Sequence, residues 1–196
     1  MKTALEGPAL NQLFLEAHTF NQFADQPVAD ETLRRLYDLL KWGPTAVNCQ
    51  PGRYVFVKSK AAKARLVPTL SPGNVAKVEA APATVIVAWD RRFYDHLPTQ
   101  WTAYDARKPF ADNEAMANSA GFRNGTLDGA YLIMAARALG LDCGPMSGFD
   151  NAKVDAEFFP DGRFASNFLV NLGYGAENGH YPRGPRLSFA EAAEIL

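Results

Sequence analysis

Apolar positions recur along this chain with two periods, and the switches between them divide it into elements. After Pro8 the spacing of Leu10, Leu13, Phe14 and Ala17 is helical. A second helix is predicted to open at Asp30 and run through Leu33, Leu36, Tyr37 and Leu40 until Gly43 and Pro44 end it. The run Arg53 to Lys58 (RYVFVK) has the β-branched and aromatic content of a strand. Ser59 is placed to cap a short helix to Val67, and Ser71 before Pro72 has the form of a cap and first-turn proline opening another. The run ATVIVAWD, 83 to 90, predicts a buried strand.

From Arg91 to Asp112 the pattern breaks. Trp101, Tyr104 and Phe110 lie among Pro98 and Pro109 without a clean period, so 91–112 is expected to be an excursion or lid able to carry substrate specificity. Helix 113 to 139 is longer than average, and its second half, GAYLIMAARAL, is apolar or small on nearly every face. Such a helix needs cover on all sides, for which a subunit partner is the obvious source. The last third predicts a strand at Leu141 to Met146, a helix from Asp150 to Phe159, a strand at Phe164 to Leu172 and a Pro/Gly/Arg tail. Strands separated by helices of unequal length, without regular βαβ alternation, predict an α+β fold rather than a doubly wound one. No repeat and no low-complexity linker divides the chain, so 1–196 reads as one domain.

Composition narrows the function classes. Hydrophobic residues make up 47% and charged residues 21% of 196 positions, which is globular composition. A net charge of -1, from 20 basic and 21 acidic residues, gives no global attraction for nucleic acid or an anionic membrane, so any anion site must be local. The N-terminal MKTALEGPALNQLFLEA lacks a basic segment followed by a continuous apolar core, and no apolar run reaches the roughly 18 to 20 residues that cross a bilayer. A cytoplasmic protein is expected. Cys49 and Cys143 are too few and too far apart for a disulfide framework or paired metal spacing, and free thiols are expected.

The common nucleotide motifs G-x-G-x-x-G and G-x-x-x-x-G-K-[ST] are missing, and GYG at 173 to 175 is too short to replace them. H-E-x-x-H and G-x-S-x-G are missing too, and with three histidines (His18, His96, His180) neither a metal site nor triad hydrolysis is expected. What remains is a scatter of small, polar and cationic residues on element ends. Five segments hold most of them: AHTFNQF (17 to 23), WGPTAVNCQPGRYVFV (42 to 57), GNVAKVEAAPATVIVA (73 to 88), helix 124 to 139 running into ALGLDCGPMSGFD, and PRGPRLSF (182 to 189).

Together and in this order, these segments resemble the nitroreductase family of FMN-dependent oxidoreductases over nearly the whole chain. The resemblance implies a nitroreductase-like three-layer α+β fold, with a mixed, mostly antiparallel sheet flanked by helices and the long helix at a dimer interface. It implies FMN as cofactor, NADH or NADPH as reductant, a homodimer with FMN sites at the subunit interface, and ping-pong hydride transfer through flavin N5 to a small acceptor. DLLKWGPTAVNCQPGRYVFV, APATVIVAWD, ARALGLDCGPMSGFD with DAEFF, and NFLVNLGYG are similar to the malonic semialdehyde reductase branch, which implies reduction of 3-oxopropanoate to 3-hydroxypropanoate. The competing readings are a broad nitro or quinone reductase, a flavin-binding protein without turnover, and a thiol or metal enzyme without flavin.

Residue by residue, the resemblance assigns Arg186 to the phosphate, with His18, Thr19 and Arg183 as partners. It places Asn74 and Lys77, three apart on one helix face, at the ring edge, with the ammonium near N1 and O2 where reduction deposits negative charge. Asn124 faces the ribityl chain or ring. Pro145, Met146, Ser147 and Gly148 form one wall, with the Ser147 and Gly148 N–H groups offered to O4 and N5. Pro44, Thr45, Ala46 and Asn48 reach the FMN of the other subunit. Without the resemblance, Arg186 is a solvated tail charge, Lys77 a surface lysine, Asn124 a satisfied core amide and PMSG a turn. Many family members carry Arg where Ala17 or His18 stands here, so the grip on phosphate is weakened. A charged His18 would make FMN retention fall as pH rises. Tyr104 or Arg107 is a candidate proton donor to product, and Arg53, Arg107 and Arg123 are candidate partners for a substrate carboxylate. Cys49 has no His or Asp in a recognisable relation to it and is read as non-catalytic, and Cys143 as a small core residue.

Overall fold

A computed structural model describes residues 2–196. In chain order the elements are α1 (Gly7–Leu10), α2 (Asp30–Leu40), β1 (Gly52–Val57), α3 (Lys60–Leu66), α4 (Pro72–Ala80), β2 (Ala83–Asp90) and two short helices, α5 (Leu97–Gln100) and α6 (Arg107–Ala111). The long α7 (Glu114–Ala138) follows, then β3 (Asp142–Met146), α8 (Asn151–Phe158), β4 (Phe164–Gly173) and α9 (Phe189–Ala192). Caps set several of these limits. The Ser59 hydroxyl accepts the Ala62 N–H, Asn113 accepts that of Met116, and Asp150 that of Lys153.

The four strands form one sheet in the order β1-β2-β4-β3, with every neighbouring pair antiparallel. The parallel component of the expected mixed sheet is a single bridge between Thr19 and Cys143 at the β3 edge. Alternation along β2 explains why the whole strand is apolar. Ala83, Val85 and Val87 pack with α2 and α7 on one face, while Ile86 and Ala88 pack with α3, α4 and α8 on the other. Helices therefore cover both faces, and the fold is the expected three-layer α+β sandwich.

Contact between α7 and the sheet depends on a row of glycines. An added Cβ would lie 2.5 Å from the Trp89 ring at Gly121 and 2.9 Å from Trp89 Cβ at Gly125, and at Gly129 it would meet the Phe168 ring. The opposite face of α7 exposes Met116, Phe122, Leu127 and Tyr131, so the all-round apolar character has two causes. One side is pressed onto the sheet, and the other leaves large apolar side chains exposed, with Tyr131 lying against Gly43.

Two elements differ from the sequence expectation. The N-terminal helix does not continue as an α-helix to Ala17: after Leu10 it widens into a π-turn over Asn11–Leu15. Its apolar stripe finds no core, with Phe14 and Leu15 exposed, and it is held instead by Arg137, which donates to the Leu13 carbonyl and accepts from Gln12. Segment 91–112 holds a core of its own, in which Phe93, Leu97, Ala106 and Phe110 bury Cys49 and Ala117. Among the described residues no helix is long and apolar enough to cross a membrane.

Candidate functional site

Three of the five sequence segments meet at the β3 edge of the sheet. The Phe20 N–H donates to the Cys143 carbonyl and places Thr19 beside Cys143, so His18 and Thr19 run along the strand that leads into Pro145, Met146 and Ser147. From the tail, Phe20 pairs with His180, whose ring stacks on His18 at 3.9 Å. Arg183 closes this corner by donating to the carbonyls of Leu15 and Ala17. Burial, His180 and Arg183 push the His18 pKa below its ordinary value. The charged form of His18 is thus disfavoured in the folded chain, and Arg183 brings a second cationic side chain to the same corner. Arg186 does not join the cluster: it is exposed, and its guanidinium turns back on the carbonyls of Gly184 and Pro185.

Beyond β3 the chain turns against α4. The Gly148 carbonyl accepts from the Ser71 N–H and from Asn74 Nδ2 at 2.9 Å, and a Cβ on Gly148 would lie 2.6 Å from that Asn74 nitrogen. Asn74 can approach so closely only because residue 148 is glycine. Neither the Ser147 nor the Gly148 N–H donates to a protein acceptor among the described residues. One turn along α4, the Lys77 carbonyl accepts from Asn171, the partner of Gly144 across β3 and β4. The lysine ion pairs are Lys41–Asp38, Lys58–Asp30, Lys108–Asp112 and Lys153–Asp150, and half-buried Lys77 belongs to none of them. Unclaimed Ser147 and Gly148 N–H groups beside Asn74, a guanidinium at the Thr19 corner and, one turn along α4, a lysine in no ion pair among the described residues suit an elongated anion with a polar ring edge, which describes FMN.

The Pro44–Asn48 segment lies at the other edge, leading into β1. Its backbone is strained: Val47, Asn48 and Gln50 have φ of 47°, 52° and 40°, in the left-handed region that a β-branched residue strongly avoids. Several contacts hold it there. Thr45 Oγ1 accepts the Gln50 N–H, the Asn48 and Gln50 amides converge on Gln100, and Cys49 is sealed in the Phe93 and Leu97 core with its thiol pushed up to about 11 by burial. Asn124, only 5% exposed, is a further clamp: Oδ1 accepts the Ala46 N–H at 2.9 Å and Nδ2 donates to the Ala120 carbonyl. Asn124 is thus a positioning residue for the loop, with one acceptor site on Oδ1 and one Nδ2 hydrogen committed within the chain and its second Nδ2 hydrogen not. Cys143 is fully buried with its thiol pushed up to about 12, which fits a core residue.

The candidate substrate cations also have occupations. Arg53 is paired with Asp90 at 2.9 Å and shares that buried carboxylate with Arg163, while Arg107 contacts Asp95 at 3.5 Å. Arg123 is exposed on α7, and Tyr104 stacks edge-on against Trp101. Sequence reasoning missed Asp90 and Asp128, both buried. Asp128 was findable, because it falls on the helical stripe of 121, 124, 125, 129 and 132 that faces the sheet.

A three-layer sandwich with a small-residue helix on its sheet and a strained loop at one edge defines the class. The chain belongs to the nitroreductase family, whose model matches residues 16–174. A protein of Xanthomonas oryzae pv. oryzae, provisionally named NADH dehydrogenase/NAD(P)H nitroreductase, is 60% identical over the full length of both chains. Two solved structures share the fold. A Bacillus subtilis nitroreductase is 23% identical with a TM-score of 0.84, covering 96% of this chain and 99% of its own. A nitroreductase of Exiguobacterium sibiricum, solved in complex with FMN, is 19% identical with a TM-score of 0.83, covering 100% and 99%.

Proposed function

We propose that the protein is an FMN-dependent NAD(P)H oxidoreductase working as a homodimer, with each site built from the β3 edge of one chain and the Pro44–Asn48 loop of the other. The observation that supports this reading is that Thr19 lies along β3 and Asn74 meets Gly148 just beyond it, with the Ser147 and Gly148 N–H groups unclaimed among the described residues and Lys77 one turn further along α4. FMN, when bound, supplies a two-electron carrier that takes hydride from NAD(P)H and passes it to an acceptor. Lys77 offsets negative charge at the ring edge, the Ser147 and Gly148 N–H groups fix the ring's orientation, and Thr19 with Arg183 meets the phosphate. Two chains are needed because the loop and the β3 edge flank opposite sides of a four-stranded sheet, three spacings of about 4.8 Å apart. The apolar face of α7 supplies the surface for pairing.

For the acceptor, the branch resemblance favours malonic semialdehyde, with exposed Arg123 as the cation not already paired to a carboxylate. A nitro or quinone acceptor is the second reading, favoured by the commitment of Arg53 and Arg107 to Asp90 and Asp95. Faster turnover of malonic semialdehyde than of nitrofurazone or a quinone selects the first, and the reverse order selects the second.

The visible spectrum is the primary test. Protein reconstituted with FMN is expected to be yellow and to bleach anaerobically with NADH or NADPH. Lys77→Met should weaken FMN binding roughly tenfold and lower the flavin potential. A colourless protein after reconstitution rejects the flavin reading, and a yellow protein that does not bleach reduces it to binding alone.

A further inference from the structure

A cavity of about 400 Å³ opens between α2, β1 and α7, lined by residues other than the Lys77 and Gly148 group. Its floor is Asp128, whose Oδ2 accepts the Gly52 N–H at 3.0 Å while Oδ1 has no protein partner among the described residues. The Tyr54 hydroxyl beside it likewise bonds no protein group among the described residues. A Cβ on residue 52 would fall 2.5 Å from the Tyr54 oxygen and 2.8 Å from Asp128 Oδ2, so glycine keeps the two oxygens together. Aromatic walls complete the space: Tyr37 meets Tyr54 edge-on at 6.3 Å, and Phe56 lies alongside.

The other charges facing this cavity are already answered. Lys41 from α2 is paired with Asp38, Arg53 from β1 with Asp90, and His96 lies 3.8 Å from that same Asp90. Asp128, 7% exposed, is the one lining charge that forms no ion pair among the described residues, Arg53 acting on it only from a distance while paired with Asp90. Cys49 also faces the cavity but is held as the neutral thiol. Burial pushes the Asp128 carboxyl up to about 6 despite the Gly52 N–H and the nearby guanidinium of Arg53. The fold thus carries an ionised carboxylate at neutral pH at a cost that a neutral residue of the same shape would avoid.

We infer that this cavity binds a small organic ammonium ion, the –NH3+ group on Asp128 Oδ1 and the Tyr54 hydroxyl and its apolar body between Tyr37 and Phe56. A primary ammonium supplies three donors and a positive charge where the chain supplies two unclaimed acceptors and a negative one, and the tyrosine faces favour a cation further. The cavity lies within the 300 to about 1,000 Å³ range typical of small-ligand sites.

Titration of the purified protein with 2-phenylethylamine, followed by calorimetry and by ligand-observed NMR, tests this. Saturable binding is expected, tightening as pH rises from 5 to 7, with no change in the flavin spectrum. 2-Phenylethanol, the neutral isostere, should bind at least about tenfold more weakly, because it brings no charge to Asp128. Asp128→Asn should lose binding about tenfold or more while folding normally, and Tyr54→Phe should lose a smaller part. Absence of saturable amine binding overturns the proposal, as do equal binding of amine and alcohol, preference for benzoate, or unchanged affinity in Asp128→Asn. Because the readout needs no FMN, its failure leaves the flavin reading standing, and the reverse holds.

Discussion

At the residue scale, Asp128 couples stability to pH. Its carboxyl titrates at about 6 in the folded chain against an ordinary value of 3.8, so the folded state binds the proton more tightly than the unfolded state does. Stability from this group is present below pH 4 and is lost as pH rises through 6. Asp128→Asn removes the charge and keeps the shape. It should raise stability at pH 8 by on the order of 2 kcal/mol, an advantage that shrinks to nothing near pH 4. Urea unfolding of both proteins at the two pH values measures it, and a gap independent of pH would show that the carboxylate is not the cause. Such residues explain what the sequence made legible and what it hid. The order of segments along the chain singled out Asn74 and Gly148, which the fold brings within 2.9 Å. That the Asn124 amide also serves Ala46 and Ala120 was hidden, because a sequence shows an amide at a helical position but not which neighbours it bonds.

At the scale of elements, periodicity performed best where one partner surface dominates. Helix α2 buries Leu33, Leu36 and Leu40 and follows its pattern almost to the residue, and β2 is buried throughout because helices cover both sheet faces. The first helix failed for the opposite reason, since its stripe packs on little of its own chain and the backbone relaxes into a π-turn. The glycine row of α7 was invisible to a hydrophobicity pattern, since glycine carries no apolar signal, yet it sets how closely helix and sheet approach. Gly125→Ala should raise helix propensity and still destabilise the protein, by about 1 to 3 kcal/mol, because the new methyl meets Trp89. Thermal unfolding decides between propensity and overpacking by the sign of the change.

At the scale of the whole molecule, a site shared between chains predicts complementation. A Lys77→Met chain lacks the ring-edge cation, and an Asn48→Ala chain lacks part of the loop offered to its partner. In a mixed dimer one site collects both lesions and the other neither. At limiting FMN, where each variant alone is impaired at both its sites, co-expression should therefore restore about a quarter of wild-type activity above the level of either variant, from half the dimers with one intact site each. Recovery of nothing, with both variants folded, would place each site within a single chain.

The two sheet edges are finished differently. Thr19 covers β3, whereas the outer side of β1, the apolar run Gly52–Val57, has no strand beside it in its own chain. An open apolar strand recruits whatever extended backbone it meets, including further copies of itself. In the proposed dimer, a partner lying along this edge would leave no open strand to template aggregates, so loss of pairing should show as loss of solubility.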